Sequence, residues 1–307
     1  FEDLQLRKPD YDLQIDNSSY GKKVADVISK SYDLIKKVKP DALVVLGDTY
    51  SGLSVLPAKD QGVKIFHMEA GLRAWDKRMP EQTNRKLIDH MSDILLPFNQ
   101  YHRENLIRED IHPSKIFISG NPTFEVLDAF QDKIESSLIM DKLKLSSKDY
   151  ILVTAHRKEN VDDPLAFQSI LKGLGLIYKK FKKEIIYPMH PRTQSKLSDV
   201  LVPKGIRVMD PLGYYDFNKL TKNAFCLVSD SGTSAEEGLY YKVPCVSVRQ
   251  TTERPETVEA GAHIIAGIDS HNIVDSVETI VNNKWSARYD LSVDFEPSTI
   301  VLNTLRS

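Results

Sequence analysis

Cysteine and long apolar runs are scarce in this sequence. The 307 residues include two cysteines, Cys226 and Cys245, which lie in separate apolar runs and not in a Cys-x-x-Cys pair. This spacing argues against a disulfide framework or a cysteine metal site and predicts two small buried side chains in a reducing compartment. No apolar stretch approaches the roughly 20 residues of a membrane-spanning helix, and the first residues carry no apolar secretion signal. We therefore expect a cytoplasmic protein without a membrane partner.

A large excess of one charge and the common cofactor motifs are also missing. The formal net charge is −2, so the composition does not favour nucleic-acid binding, and an anionic ligand needs a local site. The chain has no Gly-x-Gly-x-x-Gly, Gly-x-x-x-x-Gly-Lys-Ser/Thr or His-Glu-x-x-His motif, which excludes the usual dinucleotide loop, phosphate loop and zinc-protease site. His102, His263 and His271 stand apart from any set of metal ligands. We predict that these three histidines are packed or solvated.

The sequence does contain a regular alternation of short apolar runs with amphipathic segments. Runs such as 42–46 and 150–154 predict buried parallel strands, and stretches such as 19–38 and 164–181 have helical spacing. Because strands alternate with helices in two series separated by a polar stretch, we predict an α/β fold of two Rossmann-like domains that face a cleft. The predicted limits are residues 1–146, residues 147–290, and a segment 291–307 that packs back on the first domain. The other predicted strands are 63–68, 94–97, 116–118, 184–189, 206–209, 224–229 and 243–248, and the other helices are 84–91, 100–108, 216–222 and 234–240.

Ionisable residues follow the predicted strands. Ligands of such folds bind beyond the carboxyl ends of the strands, so these positions are the natural place for a site. Asp48 and Glu69 follow strands of the first series, and His156, His190 and Asp230 follow strands of the second. Random loops rarely concentrate ionisable groups in this way, and the pattern therefore predicts a functional site.

Each of these residues also has a structural explanation. Asp48 or Asp230 taken alone is more simply a helix N-cap, and His156 alone fits a buried, hydrogen-bonded histidine equally well. Glu69 differs, because it directly follows an apolar strand and precedes Ala70-Gly71. A carboxylate at such a desolvated position suits a general acid or base, and we interpret Glu69 as functional.

A turn that suits a phosphate follows one strand of the second series. Ser231, Gly232 and Thr233 precede a predicted helix, whose free N–H groups and dipole attract anions, while glycine permits close approach. Such turns are common, so the motif alone does not identify a phosphate site. Glu237, about one turn into the helix, is equally explained as a ribose ligand or a surface carboxylate. Arg254 pairs either with a ligand or with a neighbouring carboxylate.

Together these motifs resemble the non-hydrolysing UDP-N-acetylglucosamine 2-epimerases. The matching blocks occur in the family's order across nearly the whole chain: Gly-Asp-Thr at 47–49, His-Met-Glu-Ala-Gly-Leu-Arg at 67–73, Pro-Glu-Gln-Thr-Asn-Arg at 80–85, Ala-His-Arg-Lys-Glu-Asn at 155–160, His-Pro-Arg at 190–192, Ser-Asp-Ser-Gly-Thr at 229–233 with two glutamates at 236–237, and Thr-Glu-Arg-Pro-Glu at 252–256. Their shared order makes the resemblance specific. It implies the GT-B arrangement with a UDP-sugar between the domains, and a homodimer.

The resemblance also implies a reaction without NAD, metal or any other cofactor. UDP is eliminated from a UDP-2-acetamido sugar to leave a 2-acetamidoglycal, and it is added back after C2 is protonated on the other face. In this family the positions that match Asp48, Glu69 and Glu81 are the acidic candidates for proton transfer, and the position that matches His156 is also required. We assign Glu69 and Glu81 to acid–base work at C2. Asp48 is expected to orient a partner or relay a proton, and His156 to contact the diphosphate or the developing charge.

Further positions match the family's UDP-binding residues. The implied contacts come from Ser231, Gly232 and Thr233 at the phosphate turn, Glu237 at the ribose, Phe217 near the uracil, and Arg254, with Arg85 and His190 as additional substrate-binding positions. Arg85, one helical turn after Glu81, is expected to hold a carboxylate in place as well as bind the ligand. Leu212 stands where the common enzymes carry glutamine, and Thr233 where they carry a second glycine. Backbone contacts to UDP survive both changes, but the base pocket is expected to differ.

The substrate is left open between two groups of UDP-sugars. UDP-N-acetylglucosamine, converted to the manno epimer for capsule or other cell-surface polysaccharide, is the default. The segment from Glu69 to Glu81 is shorter than in the ordinary enzymes, and residues 84–90 and 212–214 look more like relatives that act on UDP-2-acetamido-2,6-dideoxy-L-talose or UDP-2,3-diacetamido-glucuronic acid. A GT-B glycosyltransferase or a non-catalytic UDP-sugar-binding protein shares the UDP turn, but the paired acids favour the epimerase.

The beginning of the chain departs from the family pattern. The family starts with a strand and a Gly-Thr-Arg-Pro-type loop whose cations contact the ligand, and Phe1-Glu2-Asp3-Leu4 matches neither. We expect the first domain to be incomplete at its start and the 307-residue chain to have weak activity or none. The full-length protein is expected to be active.

Overall fold

The computed structural model describes residue 4 and residues 6–76, 79–283 and 296–306. The chain divides into two compact units. Unit 1 is Phe1–Pro122 with Ser292–Ser307, and unit 2 is Thr123–Leu291. The expected boundary at residue 146 differs from this division, since residues 123–146 lie in unit 2.

Unit 1 is built on a small parallel sheet. Its elements before the boundary are α1 (Tyr20–Val38), β1 (Ala42–Leu46), a 3-10 helix (Tyr50–Ser54), α2 (Val55–Asp60), β2 (Lys64–Met68), α3 (Pro80–Met91), β3 (Ile94–Leu96), α4 (Gln100–Arg108) and a second 3-10 helix (Pro113–Lys115). The strand order is β1-β2-β3, with all pairs parallel. The predicted strand 116–118 does not form. Ile116 makes a single parallel bridge to Leu95, because β3 is only three residues long and is followed by Pro97.

Local signals account for the helices of unit 1. The Ser19 side chain accepts a hydrogen bond from the Lys22 N–H and so caps the start of α1, while Lys39 in the left-handed region ends it. Its apolar stripe buries Ile35 with Val55 and Ile88 against β2, as helical spacing predicts. This packing holds α1, α2 and α3 against one face of the sheet of unit 1.

Unit 2 has a larger parallel sheet. The remaining helices are α5 (Pro122–Ala129), α6 (Gln131–Glu135), α7 (Ile139–Leu143), α8 (Lys158–Val161), α9 (Pro164–Phe181), α10 (Pro191–Gln194), α11 (Tyr214–Asn223), α12 (Gly232–Tyr241), α13 (Pro255–Glu259) and α14 (Ser270–Asn282), and α15 (Pro297–Arg306) belongs to unit 1. The strands are β4 (Tyr150–Thr154), β5 (Glu184–Pro188), β6 (Ile206–Met209), β7 (Cys226–Ser229), β8 (Cys245–Ser247) and β9 (His263–Ile265), in the spatial order β6-β5-β4-β7-β8-β9.

The sheet of unit 2 is covered on both faces. Alternate residues of β4 point to opposite sides: Ile151 and Val153 join a core with α9 and α14, while Tyr150 and Leu152 join a second core with α7, α11 and α12. The second core explains why residues 123–146 belong to unit 2, since Ile139 of α7 packs into it. From β4 the strand order runs outward through β5 and β6 on one side and through β7, β8 and β9 on the other. Ligands of such sheets bind at this point, between β4 and β7, where the order reverses.

Several sequence predictions concern packing. Cys226 and Cys245 are free and buried, which confirms that both side chains are buried as predicted. Strand β9 was not predicted, because it is only three residues long and begins with His263.

In unit 1, Val301 of α15 packs with Phe66 and Leu96. In the part of the chain that the structure describes, no helix combines the length and apolar character needed to cross a membrane.

Candidate active site

The ends of β1 and β2 bring Asp48 and Glu69 to one edge of unit 1. The Gly47 N–H donates to the carbonyl of Met68 at 3.1 Å, which ties the two strand ends together. Both Gly47 (φ +74°) and Glu69 (φ +65°) have left-handed backbone conformations. A Cβ atom added at Gly47 would lie 2.8 Å from Oε2 of Glu69. The Glu69 carboxylate therefore packs directly over a glycine, and a larger residue at position 47 would displace it.

Arg85 of α3 lies between these two acids. Its guanidinium forms an ion pair with the Asp48 carboxylate and lies 3.9 Å from Oε1 of Glu69. The Arg85 side chain is only 4% exposed, whereas those of Asp48 and Glu69 are 16% and 18% exposed. We call Asp48, Glu69 and Arg85 the acid cluster. A buried cation that faces two partly exposed carboxylates suits proton transfer at an accessible position.

Glu81 lies in the first turn of α3 and is exposed. It precedes Arg85 by one helical turn, so both residues are on the same side of the helix. Burial, Tyr20 and Glu81 together raise the pKa of Tyr50, in that order of size. The acidic side chain of Glu81 therefore acts electrostatically on the segment that follows β1.

A buried polar network lies behind the acid cluster. His67 of β2 forms hydrogen bonds through Nδ1 with Oδ1 of Asp89 at 2.7 Å and through Nε2 with the Gly47 carbonyl at 2.8 Å. Oδ2 of Asp89 accepts hydrogen bonds from Arg73 at 2.7 Å and from the Gly71 N–H at 3.3 Å. No role for Asp89 was predicted from the sequence. The sequence does show that Asp89 follows Arg85 by four residues, which places both residues on the same face of α3.

Arg73 extends this network to α4. It donates to both carboxylate oxygens of Glu109, at 3.0 and 2.6 Å, and Lys86 lies 2.9 Å from the same carboxylate. Burial alone would raise the pKa of Glu109, but Arg73 and Lys86 outweigh it and lower the pKa to about 2. The network therefore alternates cations with carboxylates.

In unit 2, Asp230 anchors the loop that carries His156. Its carboxylate accepts hydrogen bonds from the backbone N–H groups of His156 and Arg157, both at 2.9 Å, and from the Asn160 side chain at 3.0 Å. The interpretation of Asp230 as a helix N-cap is therefore wrong, since Ser231 occupies the N-cap position of α12. The same holds for Asp48, which pairs with Arg85 while Thr49 precedes the 3-10 helix.

His156 and His190 lie at the ends of neighbouring strands β4 and β5, and both are exposed. Partial removal from water lowers the pKa of His156, Asp230 opposes this effect, and His190 adds to it. The imidazole of His190 also accepts a hydrogen bond from the Arg192 N–H at 3.3 Å and caps α10. His156 is therefore biased towards its neutral form, in which one ring nitrogen donates and the other accepts.

The turn before α12 combines a helix N-terminus with a buried cation. Ser231 is the N-cap residue, and Gly232 begins the helix. A Cβ atom added at Gly232 would lie 3.5 Å from Cζ of Arg254, so the guanidinium of Arg254 packs against this turn. Nε of Arg254 donates to Glu236 at 2.9 Å. We call residues 231–233 with Arg254 the phosphate turn; Thr233 within it is exposed.

Glu237 and Phe217 lie on helices α12 and α11 of unit 2. Burial, followed by the neighbouring Glu236, raises the pKa of Glu237 to about 8. The alternative interpretation of Glu237 as a surface carboxylate is wrong, because its side chain is buried. Phe217 is partly buried against the core that includes Leu220 and Ala235. At neutral pH the Glu237 side chain is therefore mainly the neutral carboxylic acid, which can both donate and accept a hydrogen bond with a ligand hydroxyl group.

A second network that the sequence analysis missed supports Arg254. The Thr257 hydroxyl donates to the Arg254 carbonyl at 2.8 Å and contacts Nδ1 of His263 at 2.8 Å. Nε2 of His263 lies 2.6 Å from the Ser247 hydroxyl, and burial, with help from Arg249, lowers the pKa of His263 to about 4. The histidine therefore stays neutral at physiological pH, with a partner at each ring nitrogen. Its two partners, Thr257 and Ser247, come from separate segments, so sequence spacing gave no signal.

The predicted site residues thus form separate groups. Asp48, Glu69, Glu81 and Arg85 belong to unit 1, and the remaining predicted residues belong to unit 2. The family model for UDP-N-acetylglucosamine 2-epimerase matches residues 1–294. The chain belongs to this epimerase family.

Individual relatives agree with this assignment. The chain is 38% identical to the UDP-N-acetylglucosamine 2-epimerase of Methanococcus maripaludis over 299 residues, which cover 93% of this chain and 81% of that protein. It is 35% identical to the UDP-2,3-diacetamido-2,3-dideoxy-D-glucuronate 2-epimerase of Pseudomonas aeruginosa, over 91% of this chain and 78% of that one. The crystal structure of the Methanocaldococcus jannaschii UDP-GlcNAc 2-epimerase in complex with UDP-GlcNAc and UDP matches with a TM-score of 0.92 and 34% identity, covering 100% of this chain and 87% of that chain. These matches confirm the α/β, GT-B-like fold class and the place of the chain among isomerases.

Proposed function

We propose that this epimerase-family protein inverts C2 of a UDP-2-acetamido sugar, with UDP-N-acetylglucosamine as the default substrate. The observation that carries the proposal is the acid cluster, in which two carboxylates and one buried arginine meet at the ends of adjacent strands. A glycosyltransferase needs no such pair of acids around C2. The epimerase interpretation accounts for both the acids and the phosphate turn.

The proposed reaction has two stages. A carboxylate takes the C2 proton, the C–H electrons form the C1=C2 bond of a 2-acetamidoglycal, and the C1–O bond breaks with departure of UDP. In the second stage an acid on the other face returns a proton to C2, and a UDP oxygen adds to C1. Glu69 and Glu81 perform the two proton transfers, and Asp48 holds Arg85 in place and relays protons. Nε of Arg85 is buried and has no hydrogen-bond partner among the described residues.

UDP is assigned to unit 2. The free N–H groups at the start of α12 and the guanidinium of Arg254 bind the diphosphate. Glu237 accepts hydrogen bonds from the ribose hydroxyls, and Phe217 contacts the uracil. His156 and His190 stabilise the charge that develops on the leaving diphosphate. A site of this kind holds UDP at the moment when its bond to the sugar is broken.

A modified UDP-sugar is the second candidate substrate. It is favoured by the similarity to the diacetamido-glucuronate 2-epimerase and by the short segment between Glu69 and Glu81. The proposal also includes a homodimer that works in the cytoplasm and supplies precursors of capsule or other cell-surface polysaccharide. A pairwise comparison of the substrates under identical conditions decides between the two candidates.

The test is proton exchange at C2 in heavy water. The full-length gene product, with its intact mass verified, is incubated with UDP-N-acetylglucosamine, and C2 is followed by proton NMR. Deuterium at C2 together with a manno product supports the proposal. Absence of exchange with every UDP-2-acetamido sugar tried would overturn it. Transfer of the sugar to an acceptor without exchange at C2 would support the glycosyltransferase instead.

A further inference from the structure

The backbone at Glu69 adopts a conformation that needs external support. Its φ of +65° lies in the left-handed region, which residues with a side chain seldom occupy outside glycine-like turns. Gly71, two residues later, also has a positive φ, and a Cβ atom there would come within 2.2 Å of the His102 carbonyl. The turn from His67 to Gly71 is therefore tightly constrained, and such conformations persist where neighbouring groups fix them.

Asp89 contacts this turn on both sides of Glu69. One carboxylate oxygen is 2.7 Å from Nδ1 of His67, two residues before Glu69, and the other accepts from the N–H of Gly71, two residues after it. His67 in turn contacts the carbonyl of Gly47. Because the Glu69 carboxylate packs over Gly47, the chain of contacts from Asp89 fixes both the backbone and the side chain of Glu69.

The ion pair with Arg73 accounts for only part of what Asp89 contacts. Arg73 and Lys86 share the Glu109 carboxylate, so Asp89 also balances part of this buried positive charge. Asp89 is fully buried, and of its three hydrogen bonds one goes to Arg73 and two go to the turn. Burial of a carboxylate costs free energy unless hydrogen bonds and ion pairs offset the loss of water. The two bonds to the turn identify what Asp89 holds in place.

We propose that Asp89 is a positioning residue that holds the turn at Glu69 in the conformation needed for proton transfer at C2. The inference rests on the proposed function, because it assumes that Glu69 exchanges the C2 proton. Helix α3 then has two tasks on one face: Arg85 faces the carboxylates of the acid cluster, and Asp89, one turn later, holds the backbone beneath them. The same helix thereby sets both the charge and the geometry around Glu69.

The test compares Asp89→Asn with a matched variant, Asp93→Asn. Asp93 accepts from the Ile65 N–H at 2.9 Å and pairs with Lys59 at 2.5 Å, at the other end of β2. For Asp89→Asn we expect kcat for C2 exchange to fall about 100-fold, since a misplacement of about 1 Å has an effect of that size. We expect KM and the affinity for UDP to be unchanged. Asp93→Asn should lower the melting temperature and leave kcat unchanged.

The outcomes separate this inference from the proposed function. Absence of exchange in the wild-type protein contradicts the proposed function itself. Exchange in the wild-type protein together with an unchanged kcat in Asp89→Asn overturns the positioning role alone. An equal fall in kcat for both variants also overturns it, because general weakening of β2 would then explain the loss. If circular dichroism shows that Asp89→Asn does not fold, His67→Gln breaks the same link, and a wild-type kcat in that variant overturns the inference.

Discussion

The two units differ in the surroundings of the acids at the ends of their sheets. In unit 1 every acid of the acid cluster faces Arg85, and the network behind it alternates Arg73 and Lys86 with carboxylates. In unit 2 the buried Glu237 lies beside a second acid, Glu236, and its pKa is raised to about 8. The paired carboxylates of unit 1 suit proton exchange, whereas an acid with a pKa of about 8 suits hydrogen bonds to neutral hydroxyl groups. This contrast supports the proposed division of roles, in which unit 1 carries the sugar chemistry and unit 2 binds the nucleoside.

The largest expected effect is at Glu69. Glu69→Gln keeps the size of the side chain but removes the carboxylate, so C2 exchange should fall by about 1000-fold or more. UDP affinity should stay unchanged, because UDP is assigned to unit 2. Deuterium incorporation and titration calorimetry with UDP measure the two quantities. The exposed Glu104→Gln on α4 is the control, and an equal loss of UDP affinity in Glu69→Gln would break the contrast between the units.

The next effect concerns stability and pH at Glu237. Its folded-state pKa of about 8 lies above the ordinary value of 4.5, so the folded state binds the proton more tightly than the unfolded state does. The stability contributed by the protonated form is therefore present at low pH and is lost as pH rises through this interval, by roughly 4 kcal/mol between pH 5 and pH 8. Glu237→Gln should remove this part of the decline. Denaturant melts at several pH values measure it, and an identical pH slope in both proteins would contradict the assignment.

Arg254 gives a smaller effect that is specific to UDP. Arg254→Gln removes the cation beside Gly232, so UDP affinity should fall about 10- to 100-fold, as for the loss of one charge-assisted contact. Because Glu236 then lacks its buried arginine, the variant should also be less stable, and affinity is compared at a temperature where it is folded. Exchange at C2 under saturating substrate should persist. Arg254→Lys serves as the control that retains the charge but loses the planar fork.

The smallest effect is expected at Glu109. Glu109→Gln removes one of the two carboxylates that hold Arg73, but it leaves the bonds from Asp89 to the turn in place. We expect kcat to change by less than about 10-fold, well below the effect of Asp89→Asn. A steady-state comparison of the two variants is sufficient. If Glu109→Gln were the more damaging variant, the pairing of Arg73, and not the turn, would be the important feature.

Much of this arrangement follows from sequence because the signals are local. Helices α4 and α9 coincide with their predicted ranges, since capping residues and apolar spacing lie within the segments themselves. The proximity of Asp48 and Glu69 could be predicted, because the carboxyl ends of neighbouring parallel strands lie at one edge of a sheet. The pairing of Arg85 with Asp48 agrees with its expected task of holding a carboxylate.

What sequence reasoning missed depends on contacts between distant segments. Asp89 forms a hydrogen bond with His67, 22 residues away in the sequence, and Asp230 forms one with Asn160, 70 residues away. Neither distance is visible in a periodic pattern, so Asp230 was interpreted as a cap and Asp89 received no role. The burial of Glu237 likewise depends on how α12 packs on β7 and β8, which its own sequence does not specify.

The central claim is that unit 1 exchanges the C2 proton with solvent while unit 2 retains UDP. The most direct measurement is a proton NMR time course in heavy water, with the full-length gene product, that follows C2 of the sugar and any released 2-acetamidoglycal together. The account predicts solvent deuterium at C2 of the epimerised product, formed at the same rate as the product itself, and traces of glycal with an equal amount of UDP. An epimerised product that keeps its original C2 proton would contradict the account.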